Sequence, residues 1–141
     1  MNAALLYQLR LSVSPEYADA LRADPSGVKH PELGEILRRH DATLICQYDA
    51  FANYVSEAER LGTQHYPLYQ WTRDTIENPE KKARYLRSFT VYVNGEQVYA
   101  QEVADHMETE LLKLVGQYGV TGVSKFDTNP ANSPQPPRTE P

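Results

Sequence analysis

The dipeptide Asn-Gly at positions 94–95, set between two short runs of alternating side chains, constrains the fold of this chain more than any other feature. Asn-Gly favours a two-residue type I′ turn, because both turn positions must tolerate positive φ. Such a turn predicts a hairpin in which Val91 faces Val98 and Phe89 faces Ala100. One face of this hairpin is aliphatic and aromatic, and a slip of one residue would put its valines in water.

An amphipathic helix is predicted directly after the hairpin, over residues 101–118. Its apolar residues recur at helical spacing and form one stripe that covers the valine face of the hairpin. Gly119 suits the left-handed residue just past a helix end, and residues 120–126 predict a returning strand. A strand pair, a covering helix and a returning strand make half of a two-layer α+β domain.

The N-terminal part of the chain supplies the rest of the predicted sheet and helices. Residues 4–13 alternate strictly between apolar and polar, which predicts a strand buried on one face. Two helices follow, then a strand over residues 43–48, and Asp49 is expected to cap the next helix. Residues 78–80 (Asn-Pro-Glu) have the cap, proline and acid of a helix start. Residues 63–77 fit a strand, a loop or an irregular helix.

The predicted fold class is α+β, with a mostly antiparallel sheet and helices packed on one face. The order of elements also fits a ferredoxin-like arrangement, by analogy alone. A chain of 141 residues is long enough for one domain with a real core and short for two. We therefore expect one domain over residues 1–127 and a disordered, proline-rich tail over residues 128–141.

Charge and hydropathy argue against several classes of protein. The chain has 19 acidic and 14 basic side chains, a net charge of −5, which makes nucleic acid an unlikely partner. No apolar run approaches the ~18–20 residues that span a bilayer, and no signal-peptide pattern is present, so a cytoplasmic protein without a membrane span is expected. A single cysteine excludes an internal disulfide and a cysteine-rich zinc site.

Metal binding has one candidate in the sequence. Glu102, His106 and Glu110 are spaced four apart and so share one face of the predicted helix. The metalloprotease pattern requires two histidines on one helix, and the di-iron pattern requires several such helices; neither is present. We therefore predict no metal and no cofactor, and interpret these side chains as the solvated flank of the apolar stripe.

The aromatic cluster from His65 to Arg73 is the best candidate for a site. Aromatic walls with a few polar groups are typical of a small-molecule pocket. His65 would be the catalytic acid or base, because imidazole titrates near neutral pH, and Arg73 would hold an anion. Tyr66, Tyr69 and Trp71 would bind and orient the ligand. The alternative interpretation is an aromatic core corner or a subunit interface.

Two functions are compatible with these residues. The first is a non-catalytic module that binds a protein partner or a second copy of itself as a homodimer. Ten tyrosines and the lack of a phosphate loop, serine elbow or catalytic carboxylate pair favour it. The alternative is a cofactor-free enzyme, or a binder of a small organic molecule, with its cleft at the aromatic cluster. A cavity of ~300 Å³ or more lined by His65 and Arg73 would favour the enzyme, and an exposed position would not.

Overall fold

A computed structural model describes residues 6–24, 30–117 and 119–127. Within them, six α-helices and a five-stranded antiparallel sheet form an α+β fold, as predicted. The strands are β1 (Leu6–Val13), β2 (Ala42–Cys46), β3 (Ser88–Val93), β4 (Tyr99–Ala100) and β5 (Val120–Asp127). The helices are α1 (Pro15–Ala23), α2 (Pro31–Arg39), α3 (Gln47–Leu61), α4 (Tyr69–Glu77), α5 (Pro79–Leu86) and α6 (Gln101–Leu112). The predicted tail lies outside the described residues.

The sheet is organised around β1, and the order of its long strands is β2-β3-β1-β5. β1 pairs with β3 on one edge and with β5 on the other, and β2 pairs with β3. β3 therefore lies between β1 and β2 and splits the β1-helix-β2 unit, as in the ferredoxin-like arrangement. The two-residue strand β4 pairs with Leu6 and Tyr7 of β1, on the edge that β3 also uses.

The predicted hairpin forms its turn but not its strands. Both residues of the turn at 94–95 have positive φ, 52° and 79°, and the turn closes with a single bridge. Val91 does not face Val98; it pairs with Leu9 of β1 and with Leu44 of β2. The predicted pairing of Val91 is therefore wrong, because two longer strands already occupy both edges of β3, whereas the pair of Val93 with Glu96 forms in the predicted register.

The second predicted pairing of the hairpin is wrong for the same reason. Phe89 pairs with Leu11 and Cys46, whereas Ala100 pairs with Leu6. After the Asn-Gly turn the chain leaves β3. It rejoins the sheet as β4, which pairs with Leu6 and Tyr7 of β1, just beyond the part of β1 that pairs with β3. The residues between the turn and β4 thus form an excursion from the sheet and not a second hairpin strand.

The hydrophobic core lies between one face of the sheet and helices α1, α2 and α6. Val91 and Phe89 of the sheet and Met107 of α6 are all buried in it, so the valine face is covered as predicted. Its largest fully buried side chains are Phe89, Leu9, Leu11, Leu21, Leu33, Met107, Leu111 and Leu114. At ~1.5–3 kcal/mol for each large apolar side chain, this burial is the main stabilising contribution to the fold.

Two helix boundaries differ from the predicted ones. α6 ends at Leu112 and is followed by turns, with positive φ at Gly116 (91°) and at Gly119 (93°), so the helix does not extend to 118. α3 begins at Gln47, because β2 ends at Cys46 and the chain turns into the helix at once. Asp49 therefore lies in the first turn of α3 and does not cap it.

Helices α3, α4 and α5 connect β2 to β3 and have a small apolar cluster of their own. Phe51 of α3 is buried there, with its ring centroid 6.0 Å from that of Trp71 and 5.0 Å from that of Tyr85. The segment 63–77, which the sequence left open, consists of a 3₁₀ turn over Thr63–His65 and then α4. These three helices therefore connect β2 to β3, where two antiparallel neighbours could have been joined by a short turn.

Asn78 is the side-chain cap of α5, as predicted. Its Oδ1 accepts hydrogen bonds from the N–H groups of Glu80 (3.0 Å) and Lys81 (3.1 Å). Asn78→Ala removes both, and we expect the free energy of unfolding to fall by ~1 kcal/mol in urea denaturation followed by circular dichroism. Asn78→Asp keeps the acceptor oxygen and is the matched control. An equal loss in both variants would contradict the capping role.

Candidate functional site

The predicted aromatic site lies on the 3₁₀ turn and on α4, beside α3. His65 is exposed, and its Nε2 lies 3.5 Å from the side-chain nitrogen of Gln64. Tyr66 is buried, and its hydroxyl donates a 2.5 Å hydrogen bond to the carboxylate of Glu57. That hydrogen bond raises the pKa of the Tyr66 phenol. Tyr66 therefore fastens the turn to α3.

Tyr69 and Arg73 are in contact one turn apart on α4. The Tyr69 hydroxyl donates to Glu59 at 2.7 Å and accepts from Arg73 at 3.2 Å. Arg73 also forms an ion pair with Glu77 at 3.0 Å, and the carboxylate of Glu77, followed by the Tyr69 hydroxyl, raises the pKa of the guanidinium. Glu77, on the same helix, therefore already balances the charge of Arg73.

Trp71 is turned away from these groups, and its ring packs edge-on against Phe51 at an angle of 84°. The five residues predicted to form the site therefore contact different neighbours. Among the five, Tyr69 and Arg73 hydrogen-bond to each other. His65 and Arg73 are both exposed, which does not favour an enzyme by the criterion stated above. Their assignment as a catalytic and ligand-binding site stays a prediction.

The face of the sheet opposite α1, α2 and α6 was not singled out from the sequence. We call it the open face. Its side chains come from alternate positions of four strands, and none of them belongs to the main core. They are Gln8, Arg10, Ser12, Thr43, Ile45, Ser88, Thr90, Tyr92, Ser124 and Phe126. This set has no carboxylate and no lysine, although the chain carries 19 acidic side chains.

Arg10 lies in the middle of the open face and is held in place there. Its Nε donates to Oε1 of Gln8 at 2.8 Å, and its guanidinium carbon lies 4.4 Å from the centroid of the Phe126 ring. Burial lowers the pKa of the guanidinium, and the nearby Tyr85 hydroxyl acts in the opposite direction. Arginine is protonated throughout the neutral range. The open face thus presents an ordered cation stacked on an aromatic ring.

The neighbours of Arg10 on the open face are part apolar and part hydroxyl. Ile45 is 37% exposed, whereas Thr90, between it and Arg10, is only 8% exposed. The Tyr92 hydroxyl donates to the side-chain carbonyl of Gln97 at 3.3 Å. The sequence indicates only one part of this surface, the polar side of the alternating first strand. The long-range pairing of four strands is needed to show that the residues of the open face are adjacent.

Among the described residues, no helix is both long and apolar enough to cross a membrane. Comparison of the chain with protein-family models, with curated proteins and with solved structures finds no match. Of the surfaces described above, the open face is the one with the composition of an interface centre.

Proposed function

We propose that this protein acts by binding and not by catalysis, and that it binds a second copy of itself through the open face. The observation that carries the proposal is the composition of that face, which holds Arg10, Tyr92, Phe126 and Ile45 and no carboxylate or lysine. Interface centres are enriched in arginine and aromatic residues and depleted of lysine, glutamate and aspartate. The cytoplasm is retained as the predicted location.

Preorganisation of the side chains supports a binding role. Arg10 is fixed by Gln8 and Phe126, and the strands beneath it are paired on both edges. Ordering a mobile side chain on binding costs ~0.5–1.5 kcal/mol, so a surface that is already ordered binds with a smaller entropic penalty. The open face therefore needs little rearrangement to receive a partner.

Charge limits where a second copy of the chain can bind as that partner. Each chain has a net charge of −5, so two copies repel each other over most approach directions. The open face lacks carboxylates, which makes it the surface where two copies meet without acid facing acid. Contact through the same face on both chains is also the isologous geometry of a two-fold dimer.

The size of the open face sets the expected strength of the dimer. Four strands spaced ~4.8 Å apart and about six residues long give a face of about 400 Å². A standard interface buries about 800 Å² on each partner. We therefore expect a weak dimer that forms and dissociates with concentration.

Sedimentation equilibrium over a range of protein concentrations tests the proposal. The wild type is expected to move from monomer to dimer mass as concentration rises, and Ile45→Glu, which puts a carboxylate on the open face, is expected to stay monomeric. Leu112→Glu is the matched control, because Leu112 is an apolar residue of α6, 49% exposed, on the opposite side of the sheet. Circular dichroism melts check that both variants fold.

Three results would overturn the proposal. The first is a wild type that stays monomeric up to about 1 mM. Its dimer would then be weaker than the −4.1 kcal/mol that corresponds to a millimolar dissociation constant. The second is Ile45→Glu dimerising as well as the wild type. The third is Leu112→Glu abolishing the dimer as completely as Ile45→Glu does, since that would place the contact elsewhere.

A further inference from the structure

Two imidazoles and one carboxylate meet where the C-terminal end of α2 crosses α6. His106 and Glu110 are one turn apart on α6, and His40 is the residue that ends α2. One donor atom from each of the three lies within 4.8 Å of the other two. His40 is far from α6 in sequence, so the helical spacing of His106 and Glu110 could not identify His40 as a third ligand.

In this cluster His40 and Glu110 are hydrogen-bonded to each other, and the ring of His106 lies beside that of His40. Nε2 of His40 lies 2.5 Å from Oε1 of Glu110, and the ring centroids of His40 and His106 are 5.2 Å apart at 89°. A tetrahedral ion with bonds of ~2.0–2.1 Å needs its donors about 3.4 Å apart. His106 is exposed, and its donor atom lies within 4.8 Å of those of His40 and Glu110, so rotations of these three side chains can bring the donors to that spacing.

The surroundings orient Glu110 as a ligand through one oxygen. Nη1 of Arg39 donates to Oε2 of Glu110 at 2.5 Å, which leaves Oε1 directed at His40. The Arg39 charge is shared, because its Nε also lies 3.6 Å from Glu35. Side chains of His40 and Glu110 are each only 16% exposed. Partners that hold a ligating carboxylate in place are a usual part of protein metal sites.

We propose that His40, His106 and Glu110 form a zinc site with three protein ligands and solvent in the fourth position. Two imidazole nitrogens and one carboxylate oxygen are a ligand set that Zn²⁺ accepts, whereas Mg²⁺ and Ca²⁺ prefer oxygen donors throughout. Bound zinc would join α2 to α6 beside a groove of about 350 Å³ to which Arg39 and Glu110 also contribute. The proposal is independent of the open face.

Calorimetric titration of the chelator-treated protein with Zn²⁺ tests the site, and the absorption spectrum of the Co²⁺-loaded protein reports its coordination. One zinc per chain and a tetrahedral Co²⁺ spectrum are expected. His106→Ala should weaken zinc binding at least tenfold, since it removes one of three ligands. Because His106 is exposed, this variant is expected to fold normally. Glu110→Gln keeps the hydrogen-bonding shape of the side chain, and it should also weaken binding.

Glu102→Gln is the matched control, because Glu102 is exposed one turn before His106 on the same helix and lies outside the cluster. It should bind zinc as the wild type does. The proposal is overturned if the wild type binds no zinc, if it binds one ion per two chains, or if His106→Ala binds as tightly as the wild type. The last result would mean adventitious surface binding only, as would an equal loss in Glu102→Gln.

Discussion

Gly119→Ala is expected to destabilise the fold by about 3 kcal/mol, from backbone strain and from overpacking, each worth ~1–3 kcal/mol. Gly119 has a φ of +93°, and an added methyl group would lie 2.8 Å from Oγ of Ser14 and 2.9 Å from Cβ of Tyr17. Ser14 caps α1 by accepting a hydrogen bond from the N–H of Tyr17, and its own N–H donates to the Gly119 carbonyl at 2.8 Å. The methyl group therefore pushes on the start of α1, where neither neighbour can yield without loss of the cap.

Gly116→Ala is the matched control, because Gly116 has nearly the same φ, +91°, but has no atom within 4 Å of the added methyl group. It carries the backbone strain without the collision, so we expect a loss of ~1 kcal/mol. Urea denaturation of both variants and the wild type measures the difference. Equal losses would show that the contacts of the added methyl group with Ser14 and Tyr17 do not contribute to the destabilisation at position 119.

Tyr99→Phe is the second substitution with a large expected effect. The Tyr99 hydroxyl accepts from the N–H of Leu9 at 2.9 Å and donates to the carbonyl of Val91 at 2.8 Å, so it links β1 to β3 in the core. Each buried main-chain group left without its partner costs ~1–3 kcal/mol, and we expect a loss of about 3 kcal/mol in chemical denaturation. Tyr69→Phe, a half-buried tyrosine bonded to side chains, is the control and should lose less than about 1 kcal/mol.

Tyr99 also makes the stability of the fold depend on alkaline pH. Burial raises the pKa of its phenol from 10.0 to about 12, while the hydrogen bond from Leu9 acts weakly the other way. The native state therefore holds this proton more tightly than the unfolded chain does. The stabilisation is complete below pH 10 and is lost as pH rises towards 12, at ~1.4 kcal/mol per pKa unit.

The pH dependence is measured by urea denaturation at pH 8 and near pH 11. Burial raises the pKa of Tyr17 to about 12 as well, so the wild type is expected to lose stability from both residues. Tyr99→Phe should lose less between the two pH values than the wild type, because position 99 then no longer contributes. The same alkaline loss in both proteins would contradict the role assigned to Tyr99.

Local features of the fold were predicted well because their causes are local. The start of α5 follows from a cap, a proline and an acid within three residues, and the structure has it where predicted. The turn at 94–95 depends on two residues that tolerate positive φ, and it forms. The pairing after that turn was wrong because Val91 has better partners, Leu9 and Leu44, that lie far away in sequence.

The candidate sites were harder to predict for the same reason. The aromatic segment 65–73 looked like a cleft because its residues are close in sequence, but Tyr66 and Trp71 are turned towards α3 by their packing. The proposed zinc site needs His40 from α2, and helical spacing identifies only residues of a single helix. The open face needs four strands in register, and no run of adjacent residues encodes that.

The position of β1 has a consequence for how the chain is made. β1 is translated before its partners β3, β4 and β5, which all lie between Ser88 and Asp127. β2 cannot pair with it either, because β3 lies between them. A nascent chain that ends before Ser88 therefore exposes Leu9 and Leu11 to the ribosome surface and to chaperones. The sheet described here is therefore complete only after β5, which ends at Asp127, has been translated.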